Sequence, residues 1–321
     1  MNKINILVGF QVPMEWQKLL RDNLPSNYNI YFCNDSLKTE EINCIILSPI
    51  AENVIKDFSK FRKLSMLHVW GVGTSHIPIE YLKKRKIKIY LLKDSHETYM
   101  AEYILANILI WEKRILFFNS YVHSGKWKRE EIMKMIFMAP LNLISEKTLL
   151  IIGLGKTGTA LAELAKRNNM KVVGIIKDKK NKYNQRYFDE VVCFKDKDSV
   201  LKKADYISLN VSLNQTTKGM INKEFLTKMK RDAVIINTSR GNVIVEDDLI
   251  KVLDEKVIKG ASLDVFSEEP LPINHPFLKM KNVILTPHIS GSSSVEKTIK
   301  NISYNIKNYF TRNQMKQSSH P

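Results

Sequence analysis

Thr148-Leu-Leu-Ile-Ile-Gly-Leu-Gly-Lys-Thr-Gly158 decides how this chain is read. A β-prone run enters a Gly-x-Gly-x-x-Gly turn, and residues 157–168 continue with helical periodicity. A strand that passes through such a turn into a helix opens a βαβ unit with a dinucleotide site. In that setting Gly153 permits the tight turn, Gly155 lets the backbone approach a pyrophosphate, and Gly158 lets the helix pack closely on the strand. Free N–H groups around Lys156 and Thr157 then face the phosphates. Without its strand and helix the motif is weak, and a plain glycine-rich turn is the alternative.

Outward from this stretch the pattern repeats. Downstream, strands are expected over 171–176, 190–193, 206–211, 233–237, 259–264 and 282–286, with helices over 199–203, 223–229 and 246–256. Upstream, strands over 4–8, 30–33, 44–47, 67–70 and 87–92 alternate with helical patterns over 15–23, 50–61 and 77–85. Each series has the alternation of a parallel sheet covered on both faces. Between them, residues 101–123 read as one long apolar-periodic helix. It is too apolar for a solvent-facing connector and is expected at a domain or subunit interface. Met133, Met135 and Met138 read as packing material at a contact surface. The last helix, 293–310, is expected to cross back to the first series, and the polar tail 312–321 to fray. The expected fold class is α/β, with two Rossmann-like parallel-sheet domains and a cleft between them. Residues 1–98 and 291–321 form one domain and residues 99–290 the other.

At 321 residues, the length suits two domains at ~100–200 residues each. No stretch approaches the ~18 apolar residues of a membrane span. The first residues read as a strand, with no basic leader, so the expected location is the cytoplasm. Cys33, Cys44 and Cys193 have no metal-ligand spacing and read as buried reduced thiols; no metal is expected. The net charge of +17 raises the question of nucleic acid. The lysines are spread along the chain, as in Lys83-Lys84-Arg85-Lys86 and Lys228-Met-Lys-Arg231, and no recognition motif collects them. Neither nucleic acid nor membrane is expected as a partner; a positive field of this kind also attracts small anions.

Cofactor choice falls at the end of the strand that follows the glycine turn. An acid ~20 residues on would hold the ribose 2′-hydroxyl of NAD. Here Ile176 is followed by Lys177-Asp-Lys-Lys180, so Asp178 comes late. Lys177, Lys179 and Lys180 would attract a 2′-phosphate, which favours NADP(H) over NAD(H). The alternative is a solvated lysine turn that says nothing about the cofactor.

Three later segments carry chemistry: Val234-Ile-Ile-Asn-Thr-Ser-Arg-Gly241, Gly260-Ala-Ser-Leu-Asp-Val-Phe-Ser-Glu-Glu-Pro-Leu-Pro272 and Asn282-Val-Ile-Leu-Thr-Pro-His-Ile-Ser290. In this order after the glycine turn they resemble the D-isomer-specific 2-hydroxyacid dehydrogenases. With Gly71-Val-Gly73 and Ala101-Glu102 the resemblance covers essentially the whole chain. It implies a flavodoxin-like substrate domain beside an NAD(P)-binding Rossmann domain, and a homodimer built on the cofactor domains. The implied reaction is reversible hydride transfer that reduces a small 2-keto acid, such as glyoxylate or hydroxypyruvate, to the D-2-hydroxy acid.

Roles follow from the family pattern and from the chemistry together. The Arg240 guanidinium is expected to grip the substrate carboxylate and polarise the carbonyl. His288 is expected to donate the proton as hydride reaches C2. Glu269 is expected to hold the other ring nitrogen, with Glu268 the alternative acid. Asp264 is expected near the nicotinamide carboxamide, and Ile176, Lys177, Val211, Thr238, Ser239 and Gly291 along the cofactor. Gly71, Val72 and Gly73 are expected to hold the substrate carboxylate through their N–H groups. This sequence departs from the pattern at Ile176 (usually aspartate in NAD-preferring relatives), Ser212, Ser75 and Trp70. A phosphoglycerate dehydrogenase-like enzyme and a non-enzymatic NAD(H)-sensing corepressor of the same fold are the rival readings.

Overall fold

The computed structural model describes residues 3–33, 35, 38–48, 55, 57–71, 77–92, 96–178 and 185–318. The chain divides into two compact units, Met1–Ser95 with Ser293–Pro321, and His96–Ser292.

In the first unit, β1 (Ile4–Val8), β2 (Tyr28–Phe32), β3 (Cys44–Leu47), β4 (Met66–Val69) and β5 (Lys88–Leu91) form a parallel sheet in the order β2-β1-β3-β4-β5. This is the flavodoxin-like strand order. Helices α1 (Met14–Asp22) and α2 (Ile79–Lys84) belong to this unit. The expected helix over 50–61 falls mostly outside the described residues, which show a short 3-10 turn at Phe58–Lys60. Trp70, an unusual residue for its position, packs against Trp16 and Phe10 at 5.6 and 5.7 Å between ring centroids.

In the second unit, α3 (His96–Glu112), α4 (Ile115–His123) and α5 (Arg129–Met138) precede β6 (Thr148–Ile152) and α6 (Lys156–Arg167). Then come β7 (Lys171–Ile176), β8 (Glu190–Cys193), α7 (Asp198–Leu201), β9 (Tyr206–Leu209), α8 (Lys223–Thr227), β10 (Val234–Asn237), α9 (Glu246–Asp254), β11 (Gly260–Leu263) and β12 (Val283–Leu285). The sheet runs β12-β11-β10-β9-β6-β7-β8, and every pairing in it is parallel. The chain winds outward from β6 to β8, then returns beside β6 with β9 and winds the other way. Two parallel-sheet α/β units are what the alternating pattern predicts.

Two expectations are corrected. The helix expected over 101–123 breaks at Arg114, which takes a left-handed φ of 51° between α3 and α4. From there its guanidinium donates to the Met135 and Ala139 carbonyls, both at 3.4 Å, and sits 4.5 Å over the Phe117 ring. The last helix, α10 (Val295–Ser318), runs past the expected end at residue 310 into the tail. No glycine or proline interrupts residues 292–320, so nothing in the backbone stops it. Its residues Ile299, Ile302, Ile306 and Phe310 form one buried stripe against the core under β1 and β3. Burial of each such side chain stabilises by about 1.5–3 kcal/mol over exposure.

Candidate active site

The carboxyl ends of the second unit's strands lie in register, with Ile152 opposite Leu209, Leu209 opposite Asn237 and Asn237 opposite Leu263. The next residue in each case extends the ladder: Asn210 N–H donates to Ile152, Asp264 N–H to Asn237, and Thr286 N–H to Leu263. Gly153, Asn210, Thr238, Asp264 and Thr286 therefore share one edge of the sheet. In open parallel sheets, ligands bind outside that edge where the strand order reverses. Here the reversal falls between β6 and β9.

Gly153 occupies the reversal with φ +96°. A Cβ there would stand 2.5 Å from the Asn210 carbonyl oxygen and 2.9 Å from Val211 Cγ1, so a side chain is excluded by space as well as by conformation. A Cβ on Gly158 would meet the Gly153 carbonyl at 2.2 Å, because the first turn of α6 presses on the glycine loop. Gly155 has open space where its Cβ would be. Asn210 Oδ1 and Thr238 Oγ1 are buried at this edge and find no hydrogen-bond partner among the described residues. An open glycine at a helix start, with orphaned polar atoms along the same sheet edge, suits a dinucleotide with its pyrophosphate on α6.

The neighbouring positions are less uniform. Ile176, expected along the cofactor, is buried in the core between β7 and helices α3 and α6. Consecutive strand residues face opposite sides of the sheet, and both sides here are covered, so this side chain points into the interior. Lys177 and Asp178 are exposed; Lys179 and Lys180 lie outside the described residues. Ser239 is buried and donates from both N–H and Oγ to Asn237 Oδ1, while Asn237 Nδ2 donates to the Arg240 carbonyl. This small network, centred on Asn237, shapes the turn that presents Arg240.

Gly241 brings two loops together. A Cβ on it would fall 1.9 Å from the Phe266 carbonyl carbon and 2.3 Å from Ser267 N. Only glycine lets the turn after β10 touch the segment that carries Glu269. Arg240 is thereby close enough for its charge to act on the Glu269 carboxyl.

Glu269 accepts a 3.0 Å hydrogen bond from Phe266 N–H on Oε1 and a 2.7 Å bond from His288 Nδ1 on Oε2. Burial alone would raise its carboxyl above the ordinary value. The His288 and Phe266 hydrogen bonds and the charges of His288 and Arg240 outweigh burial and hold it below that value. Glu269, and not Glu268, is the acid at the imidazole. A carboxylate only accepts, so the proton on this side sits on Nδ1, and Nε2 is left to exchange a proton elsewhere.

His288 has a left-handed backbone, φ 55°, which for a residue with a Cβ costs roughly 1–2 kcal/mol. Asp264 offsets that cost. Its Oδ1 accepts from Thr286 Oγ1 at 2.6 Å and from Ile289 N–H at 2.8 Å, and its Oδ2 accepts from Ser290 N–H at 2.8 Å. Asp264 was expected at the nicotinamide carboxamide. It is fully buried, and both carboxylate oxygens are turned onto the loop that carries His288. Tyr103 of α3 adds a short hydrogen bond to Thr286, and His96 of α3 a short one to the Gly291 carbonyl. Neither α3 residue carried a signal in the sequence.

Gly71 follows β4 in the first unit; Val72 and Gly73, expected with it at the substrate carboxylate, lie outside the described residues, as do Ser75 and His76. Among the described residues no three His, Cys, Asp or Glu side chains gather as a metal site. No described helix is long and apolar enough to cross a membrane.

A sequence model of the D-isomer specific 2-hydroxyacid dehydrogenase NAD binding domain matches residues 105–290. The glyoxylate reductase of Thermococcus litoralis is 35% identical over 257 residues, spanning 80% of this chain and 76% of that protein. The glyoxylate reductase of Pyrococcus horikoshii is 33% identical over 257 residues, spanning 80% and 75%. Among solved structures, a D-isomer specific 2-hydroxyacid dehydrogenase family protein from Aeromonas salmonicida superposes with a TM-score of 0.81 at 22% identity, covering 97% of this chain and 96% of that one.

Proposed function

This chain belongs to the D-isomer specific 2-hydroxyacid dehydrogenase family, and we propose that it reduces a small 2-keto acid of the glyoxylate or hydroxypyruvate type to the D-2-hydroxy acid. It is an NAD(P)-dependent oxidoreductase acting on the CH-OH group; the substrate, the preferred cofactor and the residue roles are our reading. The observation that carries it is the His288–Glu269 pair, 2.7 Å apart, with the Arg240 charge beside it at the carboxyl edge of the cofactor sheet.

When bound, the reduced nicotinamide supplies the hydride that C2 of the substrate takes up. His288 Nε2 gives its proton to the carbonyl oxygen at the same stage, and in the reverse direction takes it back. Glu269 fixes the ring tautomer and stabilises the imidazolium form. Arg240 binds the substrate carboxylate and draws electron density from the carbonyl. Asp264 keeps the loop in place, so His288 needs no reorganisation as charge develops.

NADP(H) is our preferred cofactor. Support comes from Lys177, exposed just after β7, and from the absence of a carboxylate at the buried Ile176. We also read the protein as a homodimer. The second unit exposes Phe137 at 90%, Met138 at 85%, Trp127 at 74% and Phe117 at 46%, an apolar surface on α4, α5 and their connection that a second copy would cover. A cytoplasmic location completes the reading and suits the free thiols of Cys44 and Cys193.

A panel of 2-keto acids assayed with NADH and NADPH, followed by loss of nicotinamide absorbance, tests the reading. Turnover of at least one small 2-keto acid supports it; no oxidation with any of them contradicts it.

A further inference from the structure

The first turn of α3 stands between the two halves of the cofactor region. On one side Glu97 pairs with Lys156 at 3.8 Å, and Met100 Sδ accepts from Thr157 Oγ1 at 3.8 Å; both partners belong to the start of α6, where the pyrophosphate is expected. On the other side His96 Nδ1 bonds the carbonyl of Gly291, three residues beyond His288. A Cβ on Gly291 would lie 3.6 Å from His96 Nδ1 and 3.7 Å from Met100 Cγ, so the loop and the helix turn are in direct contact. A dinucleotide with its phosphates on α6 and its reactive ring near His288 has to pass this turn.

His96, on this turn, has an unused atom. Its Nε2 is buried and finds no hydrogen-bond partner among the described residues. The Gly291 carbonyl can only accept, so Nδ1 carries the proton, and Nε2 of the neutral ring is an acceptor. A buried acceptor without a donor is costly. The pyrophosphate is itself an acceptor and cannot satisfy it. A ribose hydroxyl or the carboxamide N–H2 of the nicotinamide riboside can.

We propose that His96 is a cofactor-binding residue, whose Nε2 accepts a hydrogen bond from a hydroxyl or amide donor on the nicotinamide-riboside half of the dinucleotide. The proposal rests on the dehydrogenase reading and assigns a residue to it. His96 thereby couples the bound ring to the loop of His288 through one imidazole, with Nδ1 on the protein and Nε2 on the ligand.

Two variants separate the ring nitrogens. In His96→Asn the side-chain amide reaches the Nδ1 position and can keep the Gly291 bond, while nothing replaces Nε2. In His96→Gln the amide reaches the Nε2 position and gives up the Gly291 bond. Dissociation constants for NADH, NADPH and ADP are measured by fluorescence and calorimetry on the full-length protein, with thermal denaturation of each variant as the folding control. His96→Asn is expected to weaken NADH and NADPH by about three- to tenfold, the range for one lost hydrogen bond, and to leave ADP unchanged. His96→Gln is expected to stay closer to the parent for both nicotinamide cofactors. Unchanged NADH and NADPH affinity in His96→Asn overturns the proposal, as does equal weakening of ADP or a greater loss in His96→Gln. A parent protein that binds neither NADH nor NADPH overturns the dehydrogenase reading itself.

Discussion

His288 Nδ1 donates a 2.7 Å hydrogen bond to Glu269 Oε2, across nineteen residues of chain that leave one strand end and return to another. The acid is held below its ordinary pKa of 4.5 although burial opposes this. A carboxyl depressed on folding contributes stability above its unfolded value and loses it as pH falls through the lower folded value. The pair is thus intact at neutral pH and comes apart only in acid. Gly241, Asn237 and Asp264 make it possible: the first lets the loops touch, the second shapes the Arg240 turn, and the third holds the His288 backbone.

Asp264 is the residue on which the loop depends most. In Asp264→Asn an amide N–H2 must replace one accepting oxygen, so at least one of the Thr286, Ile289 and Ser290 donors loses its partner. The expected cost is about 1–3 kcal/mol of stability, read as a lower denaturation midpoint, together with a fall in kcat. A variant with parental stability and turnover would show that the loop is held some other way.

His68 makes the first unit sensitive to acid. It is fully buried in β4, its Nδ1 bonded to the Val69 carbonyl and its Nε2 to Asn305 Nδ2 at 3.2 Å, and burial lowers its pKa from 6.5 to about 4. The unfolded chain takes up the proton first, so stability is complete above pH 6.5 and declines as pH falls toward 4. The full loss is about 3 kcal/mol. Denaturation midpoints measured from pH 7.5 to 4 should fall more steeply in the parent than in His68→Gln. Parallel curves would show that His68 does not set the acid sensitivity.

Lys177 tests cofactor preference. Lys177→Ala should reduce kcat/KM with NADPH about tenfold relative to NADH, the worth of one charge-assisted hydrogen bond of roughly 1.5 kcal/mol. A ratio that does not move makes the lysine run a solvated turn.

The apolar face of α4 and α5 tests assembly. Light scattering should give the parent the mass of a dimer, and Phe137→Asp, which places a charge on that face, should shift it toward monomer. A monomeric parent, or an unaltered dimer in the variant, contradicts the second-copy reading.

Much of the fold was legible because most strands here are short apolar runs bounded by turn residues, and the turn at Gly153 sits in its full strand–helix setting. The break at Arg114 was not. No glycine or proline marks it, and the cause is a set of carbonyls and rings supplied by neighbouring helices. The extension of α10 was hidden because a polar tail and a polar helix end look alike without a breaker. At the site, Glu269 and His288 could be named from their segments. Asp264 could be named but not aimed, since sequence does not say which way a buried carboxylate turns. The burial of the Ile176 side chain was not legible either, since a strand end can face the core or the edge. His96 and Tyr103 gave no signal, because their partners lie nearly two hundred residues away, at Gly291 and Thr286.

The proposed reaction depends above all on His288 moving the proton. Its most direct test is kcat of His288→Ala on the best 2-keto acid of the panel, with the NADPH dissociation constant measured on the same preparation. The expected result is a fall in kcat of about 10²–10⁴-fold with cofactor affinity unchanged. A kcat within a few-fold of the parent, or a loss explained by weaker cofactor binding, would contradict it.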